Sequence, residues 1–497
     1  MSVTLQPSFE EFQTLAAQGN LIAVWAELTA DYETPLSAFE KIADGAPRFL
    51  FESAETTGFS GRYSFMGAHP RATITARGHE VQISYRDGKS ETFQTKGDPL
   101  RDLEAIMAQF QPVKQPRLPV FVGGAVGALT YDMVRFFEPT VPPAPKDELG
   151  LPEMVFLIAD SVVIFDHRYR LMQVVANVCL TDFVDARSAY DEAGRRIHEM
   201  IERLSRPLHV KPMAAAPASA PQHAVSNTTK EEYLGMVDKA KEYIRAGDIF
   251  QVVPSQRFEV PYGGRPIELY RALRHVNPSP YMFCVELGDF SLVGSSPEVH
   301  VRCMNGRVDI RPIAGTRVRG KTEDEDDALA AELLADEKER AEHIMLVDLA
   351  RHDVGRISGY GTVVVSDLMI IERYSHVMHI VSNVHGTLAA DKSSYDVMRA
   401  TFPAGTVSGS PKVRAMQIIN ELEKSKRCAY AGAVGYFGFD GNLDSCIALR
   451  TVVLTGGKAY VQAGAGIVAD SVPESEYAET VNKAAAALRA VERATRL

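Results

Sequence analysis

The stretch YMFCVELGDFSLVGSSPEVHVRCMNGRVDIRP, residues 281–312, decides the fold class. Four strand-like runs follow one another in it, at 281–287, 291–295, 299–303 and 308–312. Only a few residues separate each run from the next. Parallel strands need a crossover of a dozen residues or so, usually a helix, and none fits here. The runs are therefore expected to pair as antiparallel hairpins. Working outward, strands are expected at 250–253, 377–386, 433–439, 445–454 and 458–463. Helices are expected at 229–246, closed by Gly247, and at 325–349, 412–423 and 474–493. Nearer the N-terminus the pattern predicts helices at 8–18 and 181–204. It predicts strands at 48–53, 72–76, 81–85, 154–165 and 171–178, with a hairpin turn at Asp87-Gly88. Hairpin runs interspersed with helices give an α+β fold with largely antiparallel sheets.

The chain has 497 residues, room for roughly two to four domains. Residues 205–229 carry Pro207, Pro212, Pro217 and Pro221 with six alanines and neither an aromatic nor a carboxylate, the composition of a linker. They divide a region of residues 1–204 from one of residues 230–497. A formal charge of −11 argues against a general nucleic-acid binder, which needs a basic footprint. Cys179, Cys284, Cys303, Cys428 and Cys446 form no CxxC pair, which excludes a zinc ribbon or redox pair. Buried free thiols in a reducing compartment, the cytoplasm, are expected. The first twelve residues lack a signal peptide's basic and apolar regions, and no apolar stretch is long enough to span a membrane.

Several residues stand out for their chemistry. Glu339, Glu342, Leu346 and Leu349 fall on one stripe of the helix at 325–349, so two carboxylates continue its buried side. Glu476 and Glu479 are three apart on the last helix, with Lys483 one turn on. Each pair alone fits a solvated helix face as well. Together they offer oxygen-only donors suited to Mg²⁺. Gly-rich turns at 314–316, 403–411 and 462–466 place small side chains and backbone N–H groups where an anion could approach, or are plain turns. Arg450 sits in an apolar run and needs an anionic partner unless it lies on a sheet edge. His379 lies in a strand, as a site residue or a satisfied core histidine. Glu298, just after a strand, is either a proton donor of raised pKa or an ordinary loop carboxylate.

Seven strings then carry a family resemblance: Gly247-Asp-Ile-Phe-Gln-Val-Val253, Gly294-Ser-Ser-Pro-Glu298, Arg311-Pro-Ile-Ala-Gly-Thr-Arg317, the stretch from Ala341 to Arg351, the stretch from Pro403 to Met416, Gly432-Ala-Val-Gly-Tyr436 and Gln462-Ala-Gly-Ala-Gly466. With these, nearly the whole chain resembles the component I chains of anthranilate synthases, within the chorismate-utilising enzymes. The resemblance implies two stacked antiparallel sheets flanked by helices. It implies Mg²⁺ on Glu342 and Glu479, with Glu339 and Glu476 beside them through waters. Gly315, Thr316, Tyr430, Arg450, Gly464, Ala465 and Gly466 match chorismate contacts, with Tyr430 and Arg450 on the pyruvyl carboxylate. Thr406 and Lys483 fall on active-site positions, His379 matches the histidine of the pyruvate-elimination step, and Glu298 matches the general acid.

Two positions discriminate among relatives. Ala314 stands where aminodeoxychorismate synthases often carry Lys, and alanine is no nucleophile. Gln251 stands where isochorismate and salicylate synthases carry a Lys that activates water. Both favour attack of ammonia at C2. The alternatives are component I of an aminodeoxychorismate synthase and a non-catalytic tryptophan-sensing homologue. A feedback pocket for L-tryptophan is also implied, from Glu52, Ser53, Asn277, Pro278, Pro280, Tyr281, Met282 and Cys446. In it Glu52 is read as the partner of the ammonium, and Tyr281 and Met282 as that of the indole. No cysteine has a glutaminase setting, so a separate glutamine amidotransferase, component II, is expected as a partner in a hetero-oligomer. The family's Asp-Leu-x-Arg-Asn-Asp motif carries His352 in place of Asn, with a change in local hydrogen bonding expected.

Overall fold

The computed structural model describes residues 3–495 apart from 44, 46, 55–60, 211–212, 214–223 and 375–376. Among the described residues two large sheets, of 11 and 12 strands, dominate. Their ladders are antiparallel, but of the hairpins expected in 281–312 only the first run with the second and the third with the fourth pair, because the second and third lie in different sheets. Between the sheets lies one apolar layer, with Trp25, Phe49, Phe283 and Val453 from one sheet and Val126, Leu157, Val434 and Cys446 from the other. The outer face of the 11-stranded sheet packs on helices Pro35–Ile42, Ala186–Leu204, Pro266–Val276 and Pro473–Ala494. That of the 12-stranded sheet packs on Pro99–Met107, Glu337–Gly355 and Ser394–Thr401, with Lys230–Ala246 and Lys412–Leu422 in the same apolar cluster. The order is helix, sheet, sheet, helix.

Both sheets draw strands from either side of the linker. The strand Arg48–Glu52 pairs with Tyr281–Glu286, and Gly124–Leu129 pairs with Ala433–Gly438. Most of the linker lies outside the described residues. Its end does not behave as a linker: Val225 and Ser226 pair with Glu259 and Phe258, and Thr229 caps the helix Lys230–Ala246. Gly247 closes that helix in the left-handed region, as read from the sequence.

Three expected elements are each two. The run 154–165 is Met154–Ala159 in the 12-stranded sheet and Ser161–Asp166 in the 11-stranded sheet, and the run 445–454 divides in the same way into Leu443–Ile447 and Thr451–Thr455. The expected helix 325–349 is Glu323–Ala335 and Glu337–Gly355, broken at Asp336. Asp336 takes an extended ψ of 111°, and its carboxylate accepts the N–H groups of Lys338 and Glu339, which starts a new helix. The helix expected from 181 begins at Ala186, because the capping box is Asp185 with Ser188 rather than Asp182.

Asp160, at the first sheet crossing, is buried and bonds Arg196 at 2.8 Å and also Arg86. Asp160→Ala would leave the nearly buried Arg196 guanidinium without its nearer carboxylate, with only Glu192 at 3.8 Å remaining. We expect a loss of about 3–5 kcal/mol in urea unfolding; a loss below about 1 kcal/mol would show that the pair is no stronger than a surface one. All five cysteines are free and buried. None of the helices among the described residues is long and apolar enough to cross a membrane.

Candidate active site

The site forms where strands change sheets. The strand Phe290–Ser296 belongs to one sheet and Val299–Met304 to the other, so Pro297 and Glu298 lie in the step between them. The neighbouring chain makes the same step from Leu443–Ile447 to Thr451–Thr455. Gly294 pairs with Thr451 before the step and Val299 with Cys446 after it. The two crossings are therefore adjacent. They bond one another, Ile447 N–H to the Glu298 carbonyl at 3.1 Å and Ser295 N–H to the Arg450 carbonyl at 3.2 Å. Glu298 and Arg450 come side by side as a result.

Arg450 is thus not within a strand, as its apolar surroundings suggested. It holds the step with φ of 46°, a conformation costly for a non-glycine residue. Burial pulls its pKa down, and the nearby Glu298 pulls it up. Among the described residues no carboxylate forms an ion pair with its guanidinium. Burial pushes the Glu298 pKa up to about 7, more strongly than Thr406, Lys483 and Arg450 pull it down. Glu298 and Thr406 line one cavity, and the buried Thr406 hydroxyl there has no well-formed hydrogen bond. Arg450, Glu479, Lys483 and Asn277 line an adjoining one.

The Gly-rich turn of 462–466 forms the next wall. The Tyr430 hydroxyl packs so closely on Gly464 that a Cβ there would come within 2.6 Å of it. Lys483 donates to the Gly464 carbonyl at 3.2 Å. Gly466 leaves room for the Gln251 amide, which a Cβ would approach to 2.7 Å. Ala465 is fully buried and donates its N–H to the Pro254 carbonyl. Burial raises the Tyr430 pKa to about 12, so its phenol keeps its proton at neutral pH.

The carboxylates approach from two helices. Gln251 donates to Glu342 at 3.3 Å, and its buried Oε1 has no partner. Burial first, then Glu339, raises the pKa of Glu342, with Glu479 adding to it; burial and Glu479 raise that of Glu476. The four are thus within electrostatic reach of one another. Two already have partners: Arg317 lies 3.4 Å from Glu339, and Lys483 lies 2.6 Å from Glu479. Among the described residues no three acids, histidines or cysteines close on a single point as a metal cage. Mutually repelling carboxylates beside an unpartnered amide oxygen fit a hard cation that keeps waters and takes further oxygens from a substrate, as Mg²⁺ does.

Gly315, at φ of 64°, lies against Glu339, whose Oε2 would stand 3.2 Å from an added Cβ. The His379 Nδ1 is 2.9 Å from the Gly315 carbonyl and 3.1 Å from the Thr316 hydroxyl. Burial lowers the His379 pKa, so the ring is neutral. His352 points away from all of this, exposed beside Asp348.

A second cavity lies between the sheets. It is lined by Glu52, Ser53, Pro280, Tyr281, Met282 and Cys446 as expected, and by Phe51, Phe65 and Tyr436. The Glu52 carboxylate already has partners on the other side of its sheet. Side chains alternate along its strand, and Glu52 shares the face of Leu50, outside the sheets. There it accepts from the Tyr270 hydroxyl at 2.6 Å and lies 3.6 Å from Arg274. Met282 packs on the same outer face and also lines the cavity. Asn277 faces the Arg450 cavity instead, and Pro278 borders neither. Sequence reading missed Asp444, which accepts from Tyr281 at 2.9 Å and pairs with Arg302 at 3.1 Å on the cavity wall. Its signal was a carboxylate within a largely buried strand.

Residues 46–489 match the family described as chorismate binding enzyme. The chain is 46% identical to anthranilate synthase component 1 of Acetivibrio thermocellus, over 98% of this chain and 99% of that one. It is 47% identical to the protein of the same name from Pseudomonas aeruginosa, over 97% and 98%. The crystal structure of anthranilate synthase component I from Streptococcus pneumoniae is similar at a TM-score of 0.76 and 36% identity, covering 93% of this chain and 99% of that one.

Proposed function

The chain belongs to the chorismate binding enzyme family, in its anthranilate synthase component 1 branch, and from that premise we propose that it converts chorismate and ammonia to anthranilate and pyruvate as a Mg²⁺-dependent lyase. One observation supports this chemistry above the others. Adjacent sheet crossings set a carboxyl of pKa about 7 beside a guanidinium that forms no ion pair among the described residues.

In this reading Arg450 pairs with the pyruvyl carboxylate of chorismate, and Tyr430 donates its phenol proton to the same group. Ammonia attacks C2 as the C4 hydroxyl departs, and Glu298 in its acid form gives the departing oxygen a proton. His379 donates Nδ1–H to the Gly315 carbonyl, which leaves Nε2 as a proton acceptor for loss of the enolpyruvyl group as pyruvate. Mg²⁺ held by Glu342 and Glu479, with Glu339 and Glu476 behind them, would draw electron density toward the ring carboxylate. Ala314 and Gln251 lack the amines that would redirect the chemistry to a covalent intermediate or to water.

Ammonia from glutamine is supplied by a second component, a glutamine amidotransferase. Burial pushes up the thiols of Cys284, Cys303, Cys428 and Cys446, which supports placing the glutaminase nucleophile elsewhere. The inter-sheet cavity is the L-tryptophan site. Phe51, Phe65, Phe283 and Tyr436 present the aromatic wall, and Glu52 and Asp444 are the carboxylates that line it.

The test is chorismate turnover by the purified chain with ammonium and Mg²⁺, read as fluorescence with the anthranilate spectrum. An aminodeoxychorismate spectrum, or no turnover, would overturn the reading. For the second cavity, Ser53→Phe is expected to fill it and raise the tryptophan concentration for half-inhibition roughly tenfold or more, with kcat little changed. Unchanged inhibition would remove tryptophan from the cavity.

A further inference from the structure

We propose that Glu423 and Arg427, a buried ion pair that does not face the substrate, form the positioning element that sets the shape of the chorismate site. The inference rests on the anthranilate reading of that site. The pair lies one turn beyond the helix Lys412–Leu422, with Glu423 as its C-cap. Both side chains are nearly inaccessible, at 7% and 1%. Arg427 grips Glu423 with two nitrogens, at 2.9 and 2.5 Å. A buried ion pair is on average no better for stability than apolar residues of the same volume. Its use here is in what else it holds.

Arg427 donates to the Val253 carbonyl at 2.5 Å and to the Val407 carbonyl at 2.9 Å. Val253 follows Gln251 by two residues, and Val407 follows Thr406 directly. The guanidinium also lies 5.4 Å from the Tyr430 ring centre and 4.8 Å from that of Tyr131 on the far side. Glu423 accepts from the Ser255 N–H at 2.8 Å and from its hydroxyl at 2.9 Å. That hydroxyl in turn accepts from Gln462, which opens the Gly464–Gly466 turn. Four separate wall segments therefore meet at this one pair, those carrying Gln251, Thr406 and Tyr430 at the planar fork of Arg427 and that carrying Gly464 through Glu423 and Ser255. Lysine at 427 presents a point charge on a flexible stem and cannot serve two carbonyls and both carboxylate oxygens together. The two carbonyls would then be unsatisfied in the interior, and each segment would be free to shift.

The test uses Arg427→Lys and Glu423→Gln in the full chain with ammonium and Mg²⁺, with two readouts. Steady-state kinetics is expected to show kcat/KM for chorismate lowered roughly 10²-fold, the loss expected from a displacement of about 1 Å. Hydrogen–deuterium exchange is expected to quicken at residues 251–255, 405–408 and 427–430 and to stay unchanged across both sheets. Activity within about threefold of wild type in a folded Arg427→Lys chain would overturn the proposal. So would exchange that quickens throughout the chain, which marks a pair of general structural use. If both variants fail to fold, Glu423→Asp, which keeps the charge and shortens the reach, is judged by the same two readouts. If wild type makes no anthranilate, the reading of function has failed, and exchange alone decides whether the pair holds those segments.

Discussion

Glu298→Gln is expected to lower kcat for anthranilate formation by roughly 10²–10⁴-fold, the range for loss of a general acid, while KM for chorismate changes little. Glutamine keeps the shape and a hydrogen-bond donor but has no proton to give to the departing C4 oxygen. The pH profile is the more specific readout. Burial pushes the carboxyl up to about 7, so a large share of the free enzyme carries the acid form at neutral pH. The acid form is the active one, and its population falls as pH rises through that value. Wild-type kcat/KM, expressed per concentration of free ammonia, should therefore fall above about pH 7, and Glu298→Gln should lack that limb. A variant within about tenfold of wild type, or one that keeps the alkaline limb, would move the general acid elsewhere.

Much of this site was legible in the sequence, and the failures have physical causes. Helical spacing placed Glu339 with Glu342 and Glu476 with Glu479, and the structure keeps each pair together because a period of 3.6 residues is a local property. The sheet crossings were not seen. At 154–165 and 445–454 the apolar runs continue through the step, because both flanking strands are buried on both faces. What marks each step is one charged residue in the run, Asp160 or Arg450. Arg450 stands out in its run, but neither residue reveals from the sequence that a second strand in the other sheet begins there. The helix break at Asp336 was hidden in the same way, since apolar spacing persists across an Asp that caps from its side chain. The partners of Glu52 were hidden for a different reason. Strand alternation puts it with Leu50 rather than Phe51, a test available from the sequence once the strand's buried faces are known. The Glu423–Arg427 fork was not recoverable, because its partners are carbonyls about 20 and 174 residues away in the chain.

Glu342→Gln and Glu479→Gln are expected to separate activity from stability, each lowering turnover roughly 10²-fold or more if several kcal/mol of stabilisation by the cation are lost. A structural ion pair predicts the opposite pattern, with stability falling alongside activity. Glu342 is held near Glu339 and Glu479, and its pKa is raised, so the folded state binds its proton more tightly than the unfolded chain. Stability without the cation must then fall as pH rises through the ordinary carboxylate range toward neutral, because the folded state pays for a charge the unfolded chain carries freely. Removing the charge in Glu342→Gln abolishes that dependence and should leave the melting temperature at pH 7 equal to or above that of wild type. Glu479 has a half-exposed Lys483 as its partner, so its replacement costs little stability. Adding Mg²⁺ should stabilise wild type against heat far more than either variant, a readout that needs no turnover. Near-wild-type turnover at saturating Mg²⁺, or equal stabilisation by Mg²⁺ in the variants, would show that the carboxylates do not hold the cation. A melting temperature that drops with the charge would show instead that their repulsion is already relieved within the protein by Lys338 and Lys483, the cations that lower the raised pKa values of Glu342 and Glu476.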